Sequence, residues 1–185
     1  IPDPRLAGTR TIPATGAGWV WSDIRQANYF LENCSNATGN ATDINNYIGE
    51  VKFFKAYLYF DKVKAFGDVP WFSKALSINS PELTAPRDSR KLVVDSIIAN
   101  LDYAIANLKK KGTAEAFRIN KEVALLFKAR VCLYEGTWEK YHSGTPFGVQ
   151  GSDGKAYLQL AADAVEQLIA LNSYSIYKGP SGSEY

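Results

Sequence analysis

Methionine is absent from the 185 residues, histidine occurs once and cysteine twice. Because the chain opens on Ile1-Pro2-Asp3-Pro4, it is expected to be a processed or truncated product. Cys34 and Cys132 stand 98 positions apart in helical patterns, and neither has a second cysteine at metal-ligand spacing. Buried free thiols are the default expectation, with a disulfide left open. His142, the lone histidine, could serve as a general base only with partners that the sequence does not display. No HExxH, GxSxG, Walker-type or CxxC pattern occurs, and Asp153, in a glycine-rich loop, lacks EF-hand spacing. The expectation is a non-enzyme with no metal and no cofactor.

Two further shortages narrow the class. No apolar run reaches membrane-spanning length and no signal peptide is visible, which leaves secretion open because such a segment can lie outside the chain. A net charge of +2 gives no strong field toward nucleic acid. The one basic run, Lys109-Lys110-Lys111, falls where a helix should end, and cations favour that position.

What the chain does have is rings. Aromatics make up 13%: 11 Tyr, 9 Phe and 4 Trp. That exceeds what one core of this size needs, so some rings should be exposed, to meet another domain or a ligand with an apolar face. With 46% apolar and 22% charged residues, the rest reads as an ordinary globular domain.

Periodicity predicts five helices. Residues 1–17, rich in Pro, Gly, Thr and Ala, read as an arm. A helix over about 18–33 puts Trp21, Ile24, Ala27, Asn28 and Leu31 on one face. The small polar stretch 34–42 reads as a loop; its N-x-[ST] triplets at Asn33, Asn36 and Asn40 are the kind that arise freely in such loops. A helix over about 43–66, capped by Thr42 or Asp43, is apolar all round and so should be buried, and Gly67 ends it. Residues 68–72 form a turn with Pro70 blocking further helix, and 73–87 a loop. Asp88 or Ser89 caps a third helix that ends at Gly112. A fourth covers about 121–136, capped by Asn120. After a glycine-rich loop over 143–154, a fifth spans about 155–171, with Leu158, Ala161, Ala162, Val165, Leu168 and Ile169 inward. The tail with Tyr174, Ile176 and Tyr177 reads as a short strand or turn.

The helices pair. Phe54-Lys55-Ala56 and Phe127-Lys128-Ala129 each sit mid-helix, and each long aromatic helix is followed by an amphipathic one with Ala and Leu four apart, Ala104 with Leu108 and Ala164 with Leu168. The fold class is therefore all-α: tetratricopeptide-like helical hairpins with long inserted loops, the pairs spanning about 43–112 and 120–172.

The segment from Glu50 through Phe53-Phe54-Lys55-Ala56 and Tyr59-Phe60 to Phe66-Gly67-Asp68-Val69-Pro70 resembles the signature of SusD/RagB proteins. Pro86-Arg87-Asp88-Ser89, residues 98–104, Arg118, residues 128–134 and, upstream, residues 24–31 match in order, so that the likeness covers about 19–177. It implies a lipid-anchored protein on the outer membrane of Bacteroidetes-type bacteria. Such a protein captures oligosaccharides and delivers them to a SusC-like TonB-dependent transporter. Residues 1–185 would then be the N-terminal part of a SusD-like domain whose remainder is absent. Lys55 stands where the family usually has Arg, and the lipid-bearing Cys is missing. A helical-repeat scaffold that binds a protein partner is the alternative.

For a glycan ligand, flat rings stack on C–H faces and planar polar groups meet hydroxyls. Trp19, Trp71, Trp138 and Tyr141 at helix–loop boundaries, with Arg10 in the arm, are the candidates. Each has a plainer use: Trp19 as core, Trp71 as a plug for the signature turn, Trp138 with Tyr141 as packing, Arg10 as a solvated loop residue. Trp21 reads as core, and Arg87-Asp88 as a helix-start device.

Overall fold

A computed structural model describes residues 3–4, 6–11, 14 and 16–177. Among the described residues the regular structure is five α-helices, α1 (Ser22–Asn33), α2 (Ala41–Phe66), α3 (Arg90–Asn107), α4 (Lys121–Tyr141) and α5 (Lys155–Ala170), with single 3-10 turns at Cys34–Asn36 and Pro81–Leu83. Among the described residues the only β-type pairing is an isolated bridge between Val69 and Asp88. The expected all-helical architecture is what the chain adopts.

Helix α2 packs on α3 and α4 on α5, as two antiparallel hairpins joined through α3 against α4, while α1 lies on α2. Small residues set both crossings. A side chain at Gly49 would touch Leu108 at 3.4 Å. One at Gly136 would come within 2.7 Å of Leu158 Cγ and 2.9 Å of the Gly154 carbonyl. The core between the layers is built from Ala56, Tyr59, Val63, Val93, Ile97, Leu101, Ala104 and Val131, each essentially without solvent contact. Phe127 of α4 joins the α2 rings, 5.3 Å from Phe53 and 5.8 Å from Phe60. The two Phe-Lys-Ala helices are thus neighbours, and Ala56 and Ala129 are both buried.

Several boundaries differ from expectation. Asn40, not Thr42 or Asp43, caps α2, its side chain accepting from the N–H groups of Thr42 and Asp43. Helix α3 stops at Asn107, and Lys109–Lys111 tie elements together instead of capping it. Lys109 pairs with Asp43 at 2.8 Å, and the Lys111 ammonium donates to the Ser173 carbonyl at 2.9 Å. Helix α4 runs to Tyr141, past Gly136, which faces Gly154 across the crossing and is not a terminator. In α5 the buried positions are Tyr157, Ala161 and Ala164, while Ala162, Val165 and Ile169 face outward, so the inward face is rotated from the one expected. Helix α2 is not apolar on all sides to a purpose within this chain, because Tyr47, Phe54 and Tyr57 are exposed. Both cysteines are free, Cys132 buried and Cys34 half-buried, and burial pushes the Cys132 thiol up to about 11.

Candidate functional site

The 67–89 segment carries little regular structure, so its backbone polar groups need partners from elsewhere. Side chains of α1, α2 and the segment itself supply them. The Asn28 amide, fully buried, donates to the Phe72 and Lys74 carbonyls at 2.9 Å each. Its oxygen accepts from the Lys55 ammonium at 2.5 Å, and Lys55 also donates to the Phe72 carbonyl at 3.0 Å. The Tyr59 hydroxyl accepts from the Phe72 N–H at 2.7 Å, and Asp88 from the Trp71 N–H at 2.7 Å. Asp88 therefore fastens the turn instead of starting α3. That task falls to Ser89, which accepts from Leu92, and to Asp68, which accepts from the Arg90 N–H at 2.8 Å. Gly67, at φ 70°, turns the chain out of α2 into this segment.

Lys55 is buried with neutral partners. Burial, with a smaller contribution from Lys52, lowers its ammonium to about 8. The same burial raises the Tyr59 hydroxyl.

Pinned in this way, the segment closes a cavity of about 420 Å³ against α1. Trp19, Trp21 and Phe72 form its aromatic lining with Pro70 beside them, and Arg25, Lys74, Glu82 and Arg87 bring charge to it. Its size and mixed lining are those of a small-molecule pocket. A second cavity, of about 630 Å³, lies between the segment and the loop after α4. Asp68, Arg87, Ser89 and Lys91 border it from one hairpin, Trp138, Phe147 and Gln150 from the other. Arg87 lines both cavities.

The tryptophans share a pattern: each carries a cation. Arg87 lies 4.8 Å from the Trp19 ring centroid, Lys62 5.4 Å from Trp21, Lys55 4.8 Å from Trp71 and Arg90 4.3 Å from Trp138. Trp19 also meets Trp21 and Phe66 edge-on, at 5.0 and 4.9 Å. Trp71 lies tilted against Tyr59, ring centroids 4.1 Å apart, and so plugs the signature turn; it lines neither cavity. Trp138 lies in the last turn of α4, not at the head of the loop. His142 stacks on it at 3.9 Å, and its Nε1–H donates to the Phe147 carbonyl. Arg90 in turn makes a buried pair with Glu135, Nη2 to Oε2 at 2.7 Å. Tyr141 is 75% exposed and Arg10 is exposed on the leading arm; neither lines a cavity. Of the five sequence candidates, then, Trp19 and Trp138 border cavities that meet at Arg87.

Sequence reasoning passed over Phe72, Arg25, Arg87 and Phe147. Arg87 did carry a signal, its place in the Pro86–Ser89 motif, but a helix-start role absorbed it. Among the described residues no group of three or more His, Cys, Asp and Glu could hold a metal, and no helix is long and apolar enough to cross a membrane.

Fold and site together define an all-helical, tetratricopeptide-like protein with a ring-lined cavity beside its first hairpin. Residues 19–133 match the family model for SusD-like proteins, described as starch-binding and associating with the outer membrane. The chain belongs to this SusD-like family. A SusD-like protein of Formosa agariphila is 33% identical over 93 residues, covering 50% of this chain and 18% of that protein. A SusD-like protein of Bacteroides fragilis superposes with a TM-score of 0.70 at 25% identity, over 93% of this chain and 30% of that one. A SusD-like carbohydrate-binding protein of the same species gives 0.72 at 19% identity, over 92% and 30%. The chain thus spans less than a third of the length of these relatives.

Proposed function

We propose that this chain supplies part of the glycan-binding surface of an outer-membrane protein that captures oligosaccharides for import. The observation that carries the reading is the 420 Å³ cavity in which Trp19, Trp21 and Phe72 meet Arg25 and Arg87. A sugar needs both kinds of group: flat apolar rings for its C–H face and planar donors for its hydroxyls. The family model's starch-binding description and the carbohydrate-binding relative support the same ligand class. Binding without turnover fits a site whose polar groups are arginines, a Lys74–Glu82 ion pair and amides already engaged with backbone. Handing the glycan to a SusC-like TonB-dependent transporter, and a lipid anchor at the cell surface, complete the proposal. So does the assignment of these residues to the N-terminal part of a longer SusD-like domain.

Printing purified oligosaccharides on an array and probing them with the full-length natural protein tests this. Binding is expected to a subset of glycans, lost in Trp19→Ala while the circular dichroism spectrum stays helical, with no new reducing ends after prolonged incubation. A folded protein that binds no glycan would sink the reading. One observation favours a protein-binding scaffold as a second reading: α2 exposes Phe54 and Tyr57, and α4 exposes Leu126 and Leu133. Under that reading the array stays blank and substitutions of these four residues abolish co-purification of a protein.

A further inference from the structure

The charges on the two cavities do not cancel. Arg25, Lys74 and Arg87 line the smaller one, against a single carboxylate, Glu82, which is already paired with Lys74 at 2.6 Å. Arg25 uses its Nε–H on the Leu76 carbonyl at 3.2 Å, and Arg87 makes one long contact to the Asp68 carbonyl at 3.4 Å. No ion pair within 4.0 Å engages either guanidinium among the described residues, so each keeps donors unspent. Asp88, next to Arg87 in sequence, accepts from the Trp71 N–H, and Asp68, whose backbone carbonyl Arg87 touches, accepts through its side chain from the Arg90 N–H, so both carboxylates are committed elsewhere. Arg25 comes from α1 and Arg87 from the strand of chain before α3, so two forks from different elements face one ring-lined space.

A guanidinium fork matches a carboxylate or sulfate in a way that it does not match a lone hydroxyl. We infer that the ligand of this cavity is an acidic oligosaccharide, one carrying a uronate carboxylate or a sulfate ester. The anionic group is held by Arg25 and Arg87 while a sugar face lies against Trp19, Trp21 or Phe72. The inference rests on the glycan-binding reading and narrows it to a charge class. Arg87, shared with the larger cavity, gives the same chain a second place to seat its next charged residue.

The test is calorimetric titration of the full-length protein with four probes. These are an oligogalacturonate, the same oligomer after carboxyl reduction, a sulfated oligosaccharide and a neutral gluco-oligosaccharide. At least one acidic probe is expected to bind roughly tenfold or more tightly than its neutral counterpart, as charge-assisted hydrogen bonds allow. That margin should shrink as salt is raised. Arg25→Gln and Arg87→Gln should each remove most of the margin, and Arg87→Lys should restore only part of it, since the charge returns without the fork. Melting curves of each variant separate lost binding from lost folding. Preference for the uronate over the sulfate, or the reverse, identifies the anionic group. Equal binding of acidic and neutral probes overturns the inference and leaves the glycan reading standing. Binding of none of the four by a folded protein overturns the inference, and a blank array beside it overturns the glycan reading as well.

Discussion

Lys55 shows how much a single side chain organises here. It is 3% exposed, holds α1 and the signature turn through Asn28 and the Phe72 carbonyl, and lies against the Trp71 ring. Burial, aided by the neighbouring Lys52 charge and only partly opposed by Glu32, lowers it to about 8 from an ordinary 10.5. Below about 8 the ammonium is charged in folded and unfolded chains alike, and the cost of burying it is carried in full. Between about 8 and 10.5 the unfolded chain holds more protons than the folded one, so stability contributed at this position rises with pH. Lys55→Arg keeps its charge throughout and forgoes that rise. The melting temperature of the wild type should therefore gain on that of Lys55→Arg as pH moves from below 8 to 10.5. A constant difference across that range would show that Lys55 titrates as an exposed lysine does. Gly136 is the opposite case, a residue that acts by having no side chain. A methyl there would press on Leu158 at 2.7 Å and the Gly154 carbonyl at 2.9 Å, one of them backbone. Gly136→Ala should cost about 1–3 kcal/mol through overpacking, seen as a lower urea midpoint. An unchanged midpoint would mean that the α4–α5 crossing is loose enough to give way.

At the scale of elements, the hairpins are joined by charge as well as by apolar burial. Arg90 at the start of α3 meets Glu135 of α4, its Nε–H shared between both carboxylate oxygens at 2.8 and 2.9 Å and its Nη2 2.7 Å from Oε2; both side chains are nearly without solvent contact, and the arginine also faces Trp138. Burial raises the Glu135 carboxyl, the nearby Glu139 and Asp95 carboxylates add to the rise, and the Arg90 bond and charge work against it. Removing one partner leaves a charge stranded in the interior. Arg90→Met is expected to cost roughly 3–5 kcal/mol, and Arg90→Met with Glu135→Leu to recover most of it. Chemical denaturation of the single and double variants measures this, and a double variant no better than the single would place the loss in packing. These elements were largely legible in the sequence. The apolar stripe of α1, the Gly67 stop, the Ser89 and Asn120 caps and the pairing of two aromatic helices all follow from local pattern. The end of α4 was not legible, because a glycine that closes a helix and one that admits a neighbour read alike in one chain. The same holds for α5, where Val165 and Ile169 are as apolar as the residues that turn inward. The site was legible only in part. Trp19 stood out as an aromatic at a helix start. Its companions Phe72 and Arg87 come from residues more than 50 positions on, and only the folding of 67–89 onto α1 brings them together.

For the whole molecule, the larger cavity matters because neither hairpin makes it alone: Arg87 and Lys91 belong to the first, Trp138 and Phe147 to the second. Phe66 lines it from the first hairpin, and the two rings from the second border it in different ways. Trp138 is half-buried, with Arg90 over its ring and His142 stacked on it, so its flat surfaces are already engaged. Phe147 is 70% exposed on the glycine-rich loop, and its backbone carbonyl, not its ring, receives the Trp138 N–H. The two should therefore part company when removed. Trp138→Ala strips the cover from Arg90 and loosens the joint between hairpins, and the melting temperature should fall by roughly 5 °C or more. Phe147→Ala removes a ring that supports little else, so the melting temperature should stay within about 1 °C. If the loop ring takes part in holding a sugar, glycan affinity in Phe147→Ala should drop by several fold, since an exposed aromatic contact contributes on the order of 1 kcal/mol. Calorimetric titration beside thermal melting of both variants reads the two quantities independently. A thermally silent Trp138→Ala that loses affinity would reverse the roles, making the helix ring the platform and the loop ring a bystander.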